Sequence, residues 1–210
     1  MLTNGSDSEG LFRAGFMESG STLPTGNISK TQGTYDFVVS EMGCSSSPDT
    51  SACLRAAPVE SIKYAMDKTS NFSLISLSTY LVIQGRIADV PSITGNVEDE
   101  GTLFSLSTFN ITTDTELKEY ISSNYFRNTS NSHLDRLLEL YPADPTLGSP
   151  YGTGHNCTFT LEYKRLASFH GDWLFQAPRR FFLEQRASKQ SAWSYISKRE
   201  QIPGLGAVSH

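Results

Sequence analysis

The 210-residue sequence has few charged residues, few cysteines and no long apolar run, and each shortage excludes a class of protein. Only 19% of the residues are charged and the net charge is −5, without a basic stripe, so nucleic acid is not expected as a partner. No apolar run approaches the roughly 18 residues that a transmembrane helix needs, so no membrane-spanning segment is expected. The three cysteines form no CxxC or Cys/His cluster, which argues against a metal site. Nothing in the sequence implies an organic cofactor.

Asparagine occurs nine times, and six of these residues begin an Asn-x-Ser/Thr sequon. The 29 serines and 19 threonines would produce about two sequons by chance. The sequons begin at Asn4, Asn27, Asn71, Asn110, Asn128 and Asn156. This excess predicts a glycosylated protein of the secretory pathway, although a chain rich in serine and threonine also produces sequons by accident.

The cysteines favour the same compartment. Cys44 and Cys53 enclose a short polar loop, GCSSSPDTSAC, of the kind that a local disulfide closes. Cys157 is left over, either as a free thiol or with a partner outside this chain.

Strand-like and helix-like patterns alternate along the chain. The runs that predict strands are 11–17, 87–94 and 191–197, and Pro91 marks the second as an edge strand. Helical spacing of apolar residues predicts helices at 35–42, 62–66, 117–125, 134–141 and 159–182. Thr113 and Glu116 form a capping box before the third helix, and residues 143–156 predict a long surface loop. Strands separated by helices predict an α/β sheet rather than a sandwich.

In such sheets ligands bind beside the carboxyl ends of strands, and two places there carry candidate groups. Glu98-Asp99-Glu100 follows the second predicted strand, either as a solvated acidic turn or as the source of a carboxylate that orients a catalytic imidazole. His210 ends a glycine-rich stretch after the third predicted strand, and a lone terminal histidine is more often a surface residue. An acid followed by a histidine matches the chain order of α/β-hydrolases.

Six segments carry a more specific pattern over nearly the whole chain. They are EGLFRAGFMESGS (9–21), YDFVVSEMGC with DTSACLR (35–55), GRIADVPSITGNVEDEGTLFS (85–105), LLELYPADPTLGSPYGTG (137–154), FHGDWLFQAPRRFFL (169–183) and WSYISK leading to IPGLGAVSH (193–210). Together they resemble the middle and C-terminal part of the type-B carboxylesterase/lipase family, in particular its fungal extracellular members. The cholinesterases belong to the same family.

The resemblance implies a partial α/β-hydrolase fold, in which residues 1–210 form the C-terminal portion of one domain with a mixed sheet and flanking helices. It implies hydrolysis of a small-molecule or lipid ester through a Ser-Glu-His acyl-enzyme mechanism, with Glu100 as the acid and His210 as the base. Ser19 falls where relatives carry a serine close to the catalytic histidine. Cys44 and Cys53 match a family disulfide.

The sequence also departs from the family pattern. It contains no G-x-S-x-G, and the resemblance places the nucleophile elbow and the oxyanion loop before Met1. We therefore expect a fragment of a secreted protein, with its signal peptide upstream, that is inactive alone. Gly206 and His210 are four positions apart where relatives usually have three, so either the loop has an extra residue or His210 is out of register. A family strand with the pattern W-x-P-x-x-D-G has no counterpart before Gly85, so a sheet strand is expected to be missing.

Two other interpretations remain at this point. A non-catalytic, esterase-like interaction module, as in neuroligin-like relatives, would keep the fold and use its surface. The retained Glu100 and the late histidine favour the enzyme, because a binding module needs neither. A misfolded product of an incomplete gene is the third interpretation, since half a sheet exposes unpaired strand edges. The sequence carries no signal of an oligomeric state.

Overall fold

The computed structural model describes residues 7–22, 32–68, 78–126 and 129–198. These residues fall into two compact units, and the first, which contains residues 7–22 and 78–198 apart from 127–128, carries the sheet and Glu100. The second contains residues 32–68. In chain order the elements are β1 (Gly15–Glu18), α1 (Gln32–Glu41), α2 (Thr50–Ala56), α3 (Val59–Asp67), α4 (Ser78–Ile83), β2 (Ser92–Val97), α5 (Gly101–Ser105), α6 (Asp114–Asn124), α7 (Asn131–Leu140), α8 (Tyr163–Gly171), α9 (Ala177–Arg186) and β3 (Ala192–Ser197).

The three strands form a parallel sheet in the order β1-β2-β3, which confirms the predicted α/β class. β2 lies in the centre of the sheet, so the prediction of an edge strand from Pro91 is wrong. Pro91 precedes the first residue of β2, and its carbonyl accepts a hydrogen bond from Gly15 N at 2.9 Å. The missing N–H of the proline therefore removes no bond within the β2 ladder.

The bounds of the strands differ from the apolar runs that predicted them. β2 begins at Ser92 rather than at residue 87, because Ile87 and Ala88 are buried in a packed loop, with exposed fractions of 4% and 2%. β1 begins at Gly15 rather than at residue 11, and Leu11 is exposed. The apolar run before β2 thus indicated buried residues, whereas the run before β1 did not indicate burial of Leu11.

The capping box predicted before the third helix is present at the start of α6. Thr113 Oγ1 accepts from Glu116 N at 3.3 Å, and Glu116 Oε2 accepts from Thr113 N at 3.1 Å. The helix predicted over 159–182 begins later, at Tyr163, and continues through five π-helical residues (Asp172–Gln176) into α9. The predicted surface loop 143–156 is partly internal, since residues 148–150 are buried.

Two apolar clusters support the first unit. The larger lies between α6, α7 and α8 and consists of Ile111, Leu117, Ile121, Leu134, Leu138, Leu166 and Phe169. The smaller lies under the sheet, where Val82, Ile87 and Phe182 pack together with Met17 of β1. Among the described helices, none has both the length and the apolar composition required to cross a lipid bilayer.

The second unit contains α1, α2 and α3 and the disulfide expected between Cys44 and Cys53, which is present with an S–S distance of 2.01 Å. The Cys44 side chain is buried. Asp49 caps the start of α2 by accepting a hydrogen bond from Ala52 N at 2.9 Å. The disulfide and this cap together hold the loop between α1 and α2.

Candidate active site

The candidate site lies at the carboxyl end of β2, the central strand. β2 ends at Val97, the turn Glu98–Glu100 follows, and α5 begins at Gly101. A Cβ atom on Gly101 would lie 1.9 Å from the backbone oxygen of Ala167 in α8, so only glycine permits this close packing of the two helices. That packing fixes the start of α5 and, with it, the position of Glu100.

Ser19 reaches the same place from β1. Its φ of +52° is in the left-handed region, which is unusual for a residue other than glycine and turns the chain sharply after Glu18. Ser19 N donates to Gly95 O at 2.8 Å, which holds the turn against β2. The Ser19 hydroxyl then donates a short hydrogen bond to Glu100 Oε1. The structure therefore brings together two candidate residues that are 81 positions apart.

Only one oxygen of the Glu100 carboxylate accepts hydrogen bonds from the described residues. Oε1 also accepts a hydrogen bond from Val97 N at 2.8 Å, so two donors orient this oxygen. The other oxygen, Oε2, has no hydrogen-bond donor among the described residues, and the residue is partly exposed. A carboxylate in this state is oriented and can still accept a hydrogen bond from an imidazole N–H.

The three acidic residues of the turn have different environments, which sequence reasoning did not separate. Glu98 forms an ion pair with Lys198 at 2.6 Å, at the ends of β2 and β3. Asp99 is buried, and its Oδ1 accepts from Ser149 Oγ at 2.7 Å and from Tyr151 N at 2.9 Å. Burial is the largest influence and raises the pKa of Asp99, and these two hydrogen bonds oppose the rise. Glu98 is thus paired with a cation and Asp99 is buried, whereas Glu100 is partly exposed and oriented by two uncharged donors, so the turn is not simply solvated.

The sequence is similar to fungal lipases. No protein-family model matches the sequence. Over 219 aligned residues the chain is 36% identical to Lipase 4 of Diutina rugosa. The alignment covers 94% of this chain and 39% of that lipase. It is also 36% identical over 219 residues to Secreted lipase 1 of Botryotinia fuckeliana, covering 93% of this chain and 38% of that lipase. The chain belongs to the type-B carboxylesterase and lipase family.

Solved structures support the same fold. EstA of Aspergillus niger matches with a TM-score of 0.68 at 22% identity, over 91% of this chain and 39% of EstA. A carboxylesterase of Geobacillus stearothermophilus matches with a TM-score of 0.66 at 16% identity, over 95% of this chain and 41% of the enzyme. The predicted α/β-hydrolase fold is confirmed. The chain spans about two-fifths of the length of the curated relatives that it matches.

The base that the family resemblance assigns, His210, lies outside the described residues. The described histidines have other environments: His133 and His155 are exposed, and His170 is buried in the larger apolar cluster. His170 Nδ1 lies 2.8 Å from Ser105 Oγ, and Nε2 lies 3.1 Å from Tyr120 OH. Ser105 is completely buried as well, so this serine–histidine pair has no access to a substrate. Its role is structural.

The remaining predicted sites divide between described and undescribed residues. Asn110 and Asn156 are exposed, as attachment of a glycan requires. Asn4, Asn27, Asn71 and Asn128 lie outside the described residues. Cys157, beside Asn156, is a free thiol with a positive φ of 62°.

Proposed function

We propose that this chain supplies the acid and the base of a Ser-Glu-His site in a secreted carboxylic-ester hydrolase that acts on lipid or small-molecule esters. The observation that carries the proposal is the Glu100 carboxylate, which is oriented by Ser19 and Val97 and has one oxygen unused. Relatives named lipases, three of them named as secreted, support the substrate class and the compartment. Exposure of Asn110 and Asn156 is consistent with glycosylation.

In the proposed mechanism the serine, the imidazole and the carboxylate act in turn. The nucleophilic serine attacks the ester carbonyl, and the imidazole of the base, which we assign to His210, removes the serine proton and gives it to the leaving alcohol. A water molecule, deprotonated by the same imidazole, then attacks the acyl-enzyme, and the proton returns to the serine as the acid is released. Glu100 accepts a hydrogen bond from the imidazole, fixes its tautomer and stabilises the imidazolium that forms. Ser19 positions Glu100, because its hydroxyl holds Oε1 and leaves Oε2 for the imidazole.

The 210 residues contain no G-x-S-x-G, so the nucleophile of this mechanism must come from a further segment. Removing the nucleophile of a triad lowers kcat by about six orders of magnitude. We therefore expect the isolated 210-residue chain to be inactive. Hydrolysis of p-nitrophenyl butyrate by the isolated chain, abolished by Glu100→Gln, would contradict this expectation.

A chimera tests the site itself. In it, this chain replaces the aligned region of Diutina rugosa Lipase 4, so that the lipase supplies the rest of the fold. We expect hydrolysis of p-nitrophenyl butyrate, and a loss of about 10⁴-fold in kcat on Glu100→Gln, as for other triad acids. Glu98→Gln is the matched control, because it removes a carboxylate from the same turn and alters only the ion pair with Lys198. Equal activity of the Glu100→Gln and Glu98→Gln chimeras would refute the assignment.

Two further variants of the chimera resolve the other roles. His210→Ala tests whether the loop after Gly206 has an extra residue or His210 is out of register, since activity is lost only if this histidine is the base. Ser19→Ala should lower kcat by about tenfold and shift the pH profile of kcat/KM, because Glu100 loses a donor and with it part of its orientation. An unchanged pH profile would show that Ser19 does not position Glu100.

A further inference from the structure

Arg179 is a buried cation that has no carboxylate partner among the described residues. It lies near the start of α9 with an exposed fraction of 6%. Nη1 donates to Ser194 Oγ of β3, and Nη2 donates to Gln176 Oε1 at 2.8 Å, whereas Nε is buried and unpartnered. Burial lowers the pKa of Arg179 and the charge of Arg180 lowers it further, but a guanidinium stays protonated in proteins. The described part of the fold therefore holds a positive charge that none of its carboxylates compensates.

Asn96 of β2 is a buried amide whose two polar atoms are both unpartnered. Its exposed fraction is 2%, and neither Nδ2 nor Oδ1 has a hydrogen-bond partner in the described part of the chain. Side chains alternate between the two faces of a strand, so Asn96 lies on the same face as the buried Thr94. Met17 is in register with Thr94 and packs against the cluster that contains Phe182, so α9 covers this face. About nine in ten buried polar groups are hydrogen-bonded, so such an amide indicates a bound ion or solvent molecule.

The register of the sheet places Arg179 beside Asn96. Ser194, which holds Nη1, is in register with the residue two positions before Asn96, on the same face. Gln176, which holds Nη2, donates through its own Nε2 to Val97 O at 3.3 Å, directly after Asn96. The two groups that hold the guanidinium therefore flank Asn96 along the direction of the strand.

The segment after β1 approaches the same face from the other side of β2. Gly20 O accepts a hydrogen bond from Thr94 Oγ1 at 3.4 Å, so this segment lies against the covered face of β2. Ser21 and Thr22 follow directly, and their hydroxyl oxygens are buried without a partner among the described residues. Because β2 separates β1 from β3 in the sheet, Asn96 lies between these two hydroxyls and the buried guanidinium.

The unpartnered polar atoms fall together at this one place. Every buried side-chain nitrogen or oxygen that lacks a hydrogen-bond partner within the described residues belongs to Ser21, Thr22, Asn96 or Arg179. Of these five atoms, Arg179 Nε and Asn96 Nδ2 only donate, the two hydroxyls can donate, and only Asn96 Oδ1 must accept. Such a set of donors beside an unpaired guanidinium repels a cation and suits a negative charge, whereas water would leave the guanidinium charge uncompensated.

We propose that Arg179, Asn96, Ser21 and Thr22 bind a small monovalent inorganic anion, of the size of chloride, between α9 and the covered face of β2. The anion accepts hydrogen bonds from Arg179 Nε, Asn96 Nδ2 and the two hydroxyls, and it compensates the buried positive charge. It thereby ties α9 and the segment after β1 to the central strand. The proposal concerns binding and stability and does not depend on hydrolase activity.

Thermal unfolding in sodium chloride, replaced by sodium gluconate at constant ionic strength, tests the site in the 210-residue chain. Gluconate is too large to enter a buried site. We expect Tm to rise by about 4 °C for each tenfold increase in chloride above its Kd, because the anion binds only the folded chain. Asn96→Leu and Thr22→Val should each lower the chloride affinity by about tenfold, because each removes one hydrogen bond to the ion. Arg136→Gln, which removes a positive charge from an exposed position of α7, is the control and should keep the full response.

The gluconate series gives a second measurement on Asn96→Leu. Without the anion the amide is buried and unpartnered, so an apolar side chain of similar shape should leave Tm unchanged or raise it. In chloride the same variant should be less stable than the unmodified chain.

Two results would overturn the proposal. The first is an equal Tm of the unmodified chain in chloride and in gluconate, which would mean that no anion occupies the site. The second is an equal chloride response of Asn96→Leu, Thr22→Val and Arg136→Gln, which would mean that chloride binds elsewhere. If the isolated chain is unfolded in both salts, the same titration on the chimera with Lipase 4 decides by the same outcomes.

Discussion

The buried imidazole of His170 makes the stability of the protein depend on pH. The residue is 1% exposed and contacts the rings of Phe169 and Tyr125 in the larger apolar cluster. Its two nitrogens bond to the hydroxyls of Ser105 and Tyr120, so neither bond brings a negative charge to the ring. Burial lowers the pKa of His170 to about 4 from its ordinary value of 6.5. The folded protein therefore holds this histidine in its neutral form.

The direction of the effect follows from these two pKa values. As the pH falls, the unfolded chain binds the proton near pH 6.5 and the folded chain binds it only near pH 4. The contribution of neutral His170 to the free energy of unfolding is fully present above about pH 6.5 and is lost progressively down to about pH 4. Once both the folded and the unfolded chain are protonated, His170 has lowered the free energy of unfolding by about 3 kcal/mol. Between pH 7.5 and pH 5 alone the loss is about 2 kcal/mol.

Urea unfolding at these two pH values measures the loss. His170→Gln should be less stable than the unmodified chain at pH 7.5, because two hydrogen bonds are altered, but its free energy of unfolding should fall by about 2 kcal/mol less on going to pH 5. Titration of the carboxyl groups contributes equally to both chains. His133→Gln, at an exposed position of α7, is the control and should follow the unmodified chain. Parallel pH dependence of His170→Gln and the unmodified chain would refute the reasoning.

Three further substitutions should change stability by amounts that the structure sets. Gly101→Ala should lower the free energy of unfolding by about 3 kcal/mol, because the new methyl group meets the backbone of α8; an unchanged urea midpoint would contradict this. Arg165→Met should lower it by about 3 to 5 kcal/mol, because Glu162 stays buried without its ion-pair partner. Glu162→Gln in the Arg165→Met chain should recover part of this loss, and a further loss would show that the pair is not the cause. The double change of Cys44 and Cys53 to serine should destabilise the second unit by about 3 kcal/mol, measured as faster cleavage of residues 32–68 in limited proteolysis, with equal cleavage rates as the contrary result.

Short-range features of the fold could be predicted from the sequence. The capping box of Thr113 and Glu116 is a contact between residues three positions apart, and it appears in α6 as expected. The disulfide between Cys44 and Cys53 closes a local loop, and its closure needs no knowledge of the rest of the chain. The position of Glu100 just after a strand also follows from local pattern, although the start of that strand does not.

Long-range features were decided only by the tertiary structure. Whether β2 is central or at an edge depends on strands 77 and 100 residues away that add to its two sides, and one proline next to its start carries no information about them. The hydrogen bond from Ser19 to Glu100 needs the left-handed turn after β1 and the parallel pairing of β1 with β2. The exposure of Phe16 and Trp193 on one face of the sheet depends on strand order in the same way. Sequence patterns record what each residue does within a few positions, whereas these arrangements arise from packing between segments that are far apart in the chain.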